Sequence, residues 1–153
     1  MVRLLCSPAL ANLKDLKIVQ NVSAEQVVTI LTVRKDSLQK LHLESETHLE
    51  ELAWCQLKNC SKLKELFLRL NFRHFNALAG CILLEKITIY RPWYSPDREH
   101  EQKPFPASST LPVLRELTIF DEMCEKSSPD LIVSLVKAAP ALKLLKFHAF
   151  RER

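Results

Sequence analysis

Glycine is almost absent: Gly80 is the only one in 153 residues. The P-loop and the G-x-G-x-x-G turn each need several glycines close together, because phosphate there is held against backbone without side chains. A single glycine excludes both sites, and with them nucleotide chemistry of those kinds. Long apolar runs are missing too. No stretch approaches the roughly 18 residues that mark a membrane-spanning helix. Met1–Leu10 is interrupted by Arg3, Cys6 and Pro8, which is too broken for a secretory signal. Charge of one sign is not concentrated anywhere. The 22 basic and 18 acidic residues leave a formal charge of +4, and they are interspersed rather than gathered into the basic stripe of a nucleic-acid binder. Cysteine is sparse: Cys6, Cys55, Cys60, Cys81 and Cys124 are odd in number and scattered, unlike a disulfide framework. These absences together describe an intracellular protein, cytoplasmic or nuclear, with reduced thiols and neither membrane nor nucleic acid as partner. The sequons at Asn21 and Asn59 are then chance matches.

What the chain does contain is leucine at fixed intervals. Six segments share the form L-x-x-L-x-L: Leu13–Ile18, Leu38–Leu43, Leu63–Leu68, Leu84–Ile89, Leu114–Ile119 and Leu142–Phe147. Their starts are separated by 25, 25, 21, 30 and 28 residues. Leucine is common and one such segment means little, but six at this spacing define a repeat. The fourth and sixth positions of each segment fall on the same side of a strand, since side chains alternate with period two. Stacking one unit on the next joins those side chains into a continuous core and leaves the residues between them on a concave surface.

Helix signals separate the strands. Ser23-Ala-Glu-Gln26 has capping-box form and precedes Val27, Val28, Leu31 and Val33; Thr47-His-Leu-Glu50 does the same before Leu52, Ala53 and Leu57. Ser128 followed by Pro129 is an N-cap with proline at the first helical position. It opens a run holding Leu131, Ile132, Leu135 and Val136. Asn71 is placed to cap a shorter run from Phe72 to Leu78. Strand and return helix in alternation predict an α/β solenoid, a horseshoe of about six units with parallel strands on the concave face and helices on the convex face.

A further regularity lies three residues before each strand motif. Cys60 and Cys81 stand there in the third and fourth units, and Leu111 and Ala139, each followed by proline, in the fifth and sixth. A small apolar group in the corner where the return segment meets the strand is a packing choice. This pattern resembles the cysteine-containing leucine-rich repeats of F-box/LRR proteins, the substrate receptors of SCF-type ubiquitin ligases, and more loosely the ribonuclease-inhibitor-like family. The resemblance covers nearly the whole chain. It implies a leucine-rich-repeat domain over residues 1–153 that recognises target proteins. The F-box itself has no counterpart here, and the asparagine or cysteine that the family carries at the ninth position appears only as Asn21 and Asn71. Both ends read as cut: Met1–Cys6 looks like the tail of a return helix whose strand is missing, and the chain stops almost as soon as the sixth strand ends. Without the polar caps of a solenoid, the strand Leu16–Val19 is expected to be an unprotected edge.

The fourth unit departs from the pattern. Five prolines (Pro92, Pro96, Pro104, Pro106, Pro112) lie between Ile89 and Leu114, a density that forbids a return helix. Residues 91–110 are expected to form a long, mobile loop, and loops of that length in a small domain tend to carry function.

Three groups of residues are candidates for a site. On the concave face the fifth-position column reads Lys17, His42, Phe67, Thr88, Thr118 and Lys146. The seventh-position column reads Val19, Glu44, Arg69, Tyr90, Phe120 and His148. Units three to five thereby present Phe67, Arg69, Tyr90 and Phe120 together, and the adjoining loop adds Trp93, Tyr94 and Phe105. Clustered exposed aromatics are the usual anchors of protein interfaces; alternatively, the Pro-rich loop folds back and covers them. The third-position column, Asp15, Lys40, Glu65, Lys86 and Glu116, alternates in sign on strands about 4.8 Å apart, which suits a solvated ladder of lateral pairs. Cys55 and Cys60, near His42 and His48, lack the second ligand pair of a zinc site and read as core residues. Cys124 sits beside Asp121 and Glu122, whose charges disfavour a thiolate. No catalytic, metal or cofactor site is therefore expected. The expected function is protein binding on the concave face. The resemblance implies the substrate-recognition part of a ubiquitin-ligase receptor, and the alternative is a scaffold or inhibitor of the ribonuclease-inhibitor-like kind.

Overall fold

The computed structural model describes residues 7–19, 22–44, 55–69, 75–91, 105, 109–121 and 129–149. The elements are β1 (Asp15–Ile18), α1 (Ala24–Arg34), β2 (Lys40–Glu44), β3 (Glu65–Arg69), β4 (Lys86–Arg91), β5 (Glu116–Asp121), α2 (Pro129–Ala138) and β6 (Leu144–Ala149). Short 3-10 turns occupy Pro8–Leu10 and Phe75–Gly80. All six strands belong to one parallel sheet in chain order, so the architecture is α/β.

Each strand begins at the third position of its leucine motif, and all five junctions align position for position. The fourth-position column runs Leu16, Leu41, Leu66, Ile87, Leu117, Leu145, and the sixth runs Ile18, Leu43, Leu68, Ile89, Ile119, Phe147. A slip of one residue would turn every one of these side chains to the other face. The same backbone bonds recur at every junction. The second-position carbonyl of one unit accepts from two successive N–H groups of the next: Lys14 from Gln39 and Lys40, Gln39 from Lys64 and Glu65, Lys64 from Glu85 and Lys86, Glu85 from Arg115 and Glu116, and Arg115 from Lys143 and Leu144.

Between the sheet and the return segments lies a single apolar core. From β2 to β5 the fourth- and sixth-position side chains are no more than 4% exposed, each worth about 1.5–3 kcal/mol of transfer free energy. The corner residues Cys60, Cys81, Leu111 and Ala139 are buried as the spacing predicts. In the last four units the N–H of the motif's first residue donates to the corner carbonyl, from Leu63 to Cys60, Leu84 to Cys81, Leu114 to Leu111 and Leu142 to Ala139; in the second unit Leu38 donates to Arg34 instead. Ser23 and Gln26 form the expected capping box on α1, and α2 starts at Pro129. The proposed caps Thr47, Asn71 and Ser128 fall outside the described residues, as does Cys124. Of the run expected from Phe72 to Leu78, residues 72–74 lie outside the described residues, and the rest belongs to the 3-10 turn Phe75–Gly80.

Four expectations require correction. Val33 is not on the apolar face of α1; it is 47% exposed, and Val27, Ile30, Leu31 and Arg34 are the buried set. Cys55 is a surface residue, unlike Cys60. Phe105 does not face the open side of the sheet. It is 3% exposed in the core, and its N–H donates to Ser134 Oγ on α2 at 2.9 Å. Finally, β1 is an edge strand of the sheet, paired only with β2, but the apolar side of that edge is not open, because Leu16 and Ile18 are buried. The turn Pro8–Leu10, capped by Ser7, is tied to α1 by a 2.7 Å bond from the Arg34 guanidinium to the Ser7 carbonyl. Leu13 packs on the core beside it. The exposed inward-facing residues belong to β6 instead.

Candidate functional site

The face of the sheet away from the core carries the third-, fifth- and seventh-position columns. In the third, the alternating charges pair two by two: Lys40 with Glu65 at 2.8 Å and Lys86 with Glu116 at 3.3 Å. Lys64 and Glu85, one position earlier, approach to 3.7 Å. These groups are about half exposed, so the bridges are screened and contribute little to stability. Their effect is to neutralise this margin of the face.

The fifth and seventh columns are built differently. His42 lies parallel to Phe67, with ring centroids 3.9 Å apart and 14° between planes. One column further along the strands, the Arg69 guanidinium sits 4.9 Å above the Tyr90 ring. Tyr90 meets Phe120 at 5.9 Å, and Phe120 stacks on His148 at 4.6 Å and 11°. Ring separations in this range are attractive beyond simple burial, and the cation over Tyr90 adds its own attraction. Parallel pairing causes the arrangement: Arg69, Tyr90, Phe120 and His148 occupy one register line, so strand spacing brings ring to ring.

His42 is further fixed by Glu44, whose Oε1 lies 2.6 Å from Nε2. This hydrogen bond holds the Glu44 carboxyl below its ordinary range despite partial burial, and the charges of His42, Lys17 and Arg69 act in the same direction. Beside the His42–Phe67 pair, an open trough of about 540 Å³ crosses β1 to β4 and is lined by Lys17, Lys40, Glu65 and Thr88.

Of the residues predicted for the site, the structure brings Arg69, Tyr90 and Phe120 into contact and sets Phe67 on the same face, stacked on His42. Trp93 and Tyr94 lie outside the described residues, as does most of the 91–110 segment. Sequence reasoning placed His42 and His148 in the right columns without identifying them as members of the ladder; their signal was register with Phe67 and Phe120. The thiols stand apart from this face. Burial pushes Cys60 up to about 11, with Asp36 adding to it, and pushes Cys81 up to about 12, with Cys60 adding to it. Cys81 donates to the Leu57 carbonyl at 3.2 Å. Such thiols are packing groups rather than nucleophiles or ligands. Among the described residues, no cluster of three or more His, Cys, Asp or Glu could hold a metal, and no helix is long and apolar enough to cross a membrane. Comparison with protein-family models, curated proteins and solved structures found no match.

Proposed function

We propose that the chain is a leucine-rich-repeat solenoid that binds another protein on the open face of its sheet, and that it is not an enzyme. One observation carries this reading: the ladder Arg69–Tyr90–Phe120–His148, with His42–Phe67 beside it, lines up large rings on the solvent side of a rigid sheet. Rings held by their neighbours lose little freedom when a partner covers them, which is how aromatic and arginine side chains become interface anchors. The repeated bonding at five junctions and the buried corner cysteines support the repeat class. The free thiols Cys60 and Cys81 fit a reducing, intracellular compartment. On the family resemblance, the narrower role is target recognition for an SCF-type ubiquitin ligase, with the link to the ligase made by an F-box carried elsewhere.

The test is comparative capture followed by direct binding. Tagged wild type and a Phe67→Ser/Tyr90→Ser/Phe120→Ser variant, matched for folding by circular dichroism, are each used to recover partners from cells. A partner dependent on the ladder is then purified and titrated. The reading expects the variant to lose about tenfold or more in affinity. Binding by the variant within about twofold of wild type would sink it. Recovery of the ligase adaptor supports the ubiquitin role, whereas a stable partner without the adaptor points to a scaffold or inhibitor.

A further inference from the structure

The fold gathers charges that are interspersed along the sequence. The strands run parallel and in register, so every corner that leads into a strand lies on one rim of the sheet. The second position of each motif and the two residues before the motif supply this rim. Together they hold Lys14, Lys62, Lys64, Arg115 and Lys143 against Asp36 and Glu85. Lys64 reaches Glu85 at 3.7 Å. Among the described residues no ion pair engages Lys62, Arg115 or Lys143.

Apolar side chains stand at the centre of this basic rim. Ile82 and Leu83, directly before the fourth motif, are 53% and 42% exposed. Exposed Pro112 and half-buried Val113 hold the same positions in the fifth unit. Backbone contacts join the corners side by side. Gly80 stands against the Lys58 main chain, the Glu85 carbonyl accepts from Arg115 and Glu116, and Leu111 donates to the Ala138 carbonyl. The third to fifth units have neighbours on both sides, and it is their corners that carry Lys62, Lys64, Ile82, Leu83 and Arg115.

This composition selects among partners. Protein interfaces are enriched in aromatic residues and depleted in lysine; the ring ladder has that character and the rim does not. Single-stranded nucleic acid stacks its bases on aromatic rings, whereas the exposed side chains at the rim's centre are aliphatic. Aliphatic groups set among lysine and arginine fit the surface of an anionic bilayer. There the apolar part reaches the boundary between headgroups and acyl chains, and the cations meet negative headgroups. Contact of this kind requires no membrane-spanning helix.

We infer that the strand-entry rim is a peripheral contact for an anionic lipid surface. Ile82 and Leu83 enter the boundary between headgroups and acyl chains, with Pro112 and Val113 beside them. Lys62, Lys64, Arg115 and Lys143 meet the phosphate and carboxylate groups of the lipids. From Lys64 to Arg69 is five residues, roughly 16 Å at the usual strand rise. The aromatic ladder therefore stays clear of the bilayer and free for a protein partner.

Co-sedimentation with extruded vesicles tests the inference, using phosphatidylcholine alone and phosphatidylcholine with about a third phosphatidylserine. The phosphatidylserine vesicles should bind wild type about tenfold or more tightly, and added salt should weaken that binding. Ile82→Ser/Leu83→Ser and Lys62→Glu/Arg115→Glu variants, matched to wild type by circular dichroism, should each lose about tenfold. Should a variant misfold, amide hydrogen exchange of the wild type decides, with phosphatidylserine vesicles slowing it at residues 80–85 and 111–115. Equal affinity for the two vesicles, undiminished binding by either folded variant, or protection confined to other residues overturns the inference. So does a single-stranded RNA oligonucleotide bound more tightly than the vesicles, which assigns the rim to nucleic acid.

Discussion

A β-carbon on Gly80 would stand 2.3 Å from the carbonyl oxygen of Lys58 and 2.8 Å from its α-carbon. The single glycine of the chain is thus the point where the return segments that lead into the third and fourth units meet backbone to backbone. Its φ is not positive, so space, not conformation, requires it there. The shortest strand-to-strand interval, 21 residues, separates these same two units.

Gly80→Ala should therefore destabilise the fold. The contact is with main chain, which cannot swing aside, and overpacking of this kind costs about 1–3 kcal/mol. Urea unfolding followed by circular dichroism measures it. A variant as stable as wild type would show that the two segments separate without loss.

Equivalent repeat positions should not cost the same. Leu66 is 1% exposed in the middle of the sheet, and Leu66→Ala should cost about 2–5 kcal/mol. Leu145, in the same column, is 46% exposed, and Leu145→Ala should cost less than half as much. Equal losses in paired denaturant melts would mean that the end of the sheet is as closely packed as its centre.

Thiol reactivity should divide along burial. Cys55 is exposed, while Cys60 and Cys81 are buried, with thiols pushed up to about 11 and about 12. Since the thiolate is the reactive form, iodoacetamide at pH 8 should modify Cys55 early and leave Cys60 and Cys81 unmodified until the protein unfolds. Peptide mapping by mass spectrometry distinguishes the sites. Early labelling of Cys81 would contradict its packing under the Leu57 carbonyl.

Much of the fold was legible because it rests on a two-residue alternation repeated six times, and alternation survives in sequence without knowledge of contacts. Strand order and register followed from the same motif, and so did the corner residues. Arg34 was missed because a charged side chain is normally assigned to solvent. Yet it follows Val27, Ile30 and Leu31 at helical spacing, and its 2.7 Å bond to the Ser7 carbonyl offsets its burial. Phe105 was misplaced because a Pro-rich stretch has no periodicity from which to read an inward side. On the open face, the columns named the candidate residues, but ring stacking depends on strand spacing and side-chain rotamers, which no linear pattern contains. An open apolar edge was expected at the first strand, and alternation alone could not show that Leu16 and Ile18 on that edge strand are buried beside the turn at Pro8–Leu10, while Leu145 and Phe147 on β6 are exposed.

The last prediction concerns how pH acts on the His42–Glu44 link. The hydrogen bond from His42 is the main cause that lowers the Glu44 carboxyl from its ordinary value of 4.5. A carboxyl lowered in the folded state favours folding at pH above its unfolded value. That contribution disappears as pH falls through the folded value, because folded and unfolded forms then bind the same proton. Neutral pH therefore retains the full effect, and the loss falls below pH 4.5. Titration of the Glu44 side-chain carboxyl carbon by NMR should give a midpoint under 4.5, and His42→Ala should move that midpoint upward. Glu44→Gln should lower stability at neutral pH, and its difference from wild type should shrink as the solution is acidified through the Glu44 midpoint. A midpoint at or above 4.5 in the wild type, or one that His42→Ala leaves in place, would mean that the 2.6 Å contact does not persist in solution. The stacked imidazole of the open face would then lack its carboxylate anchor.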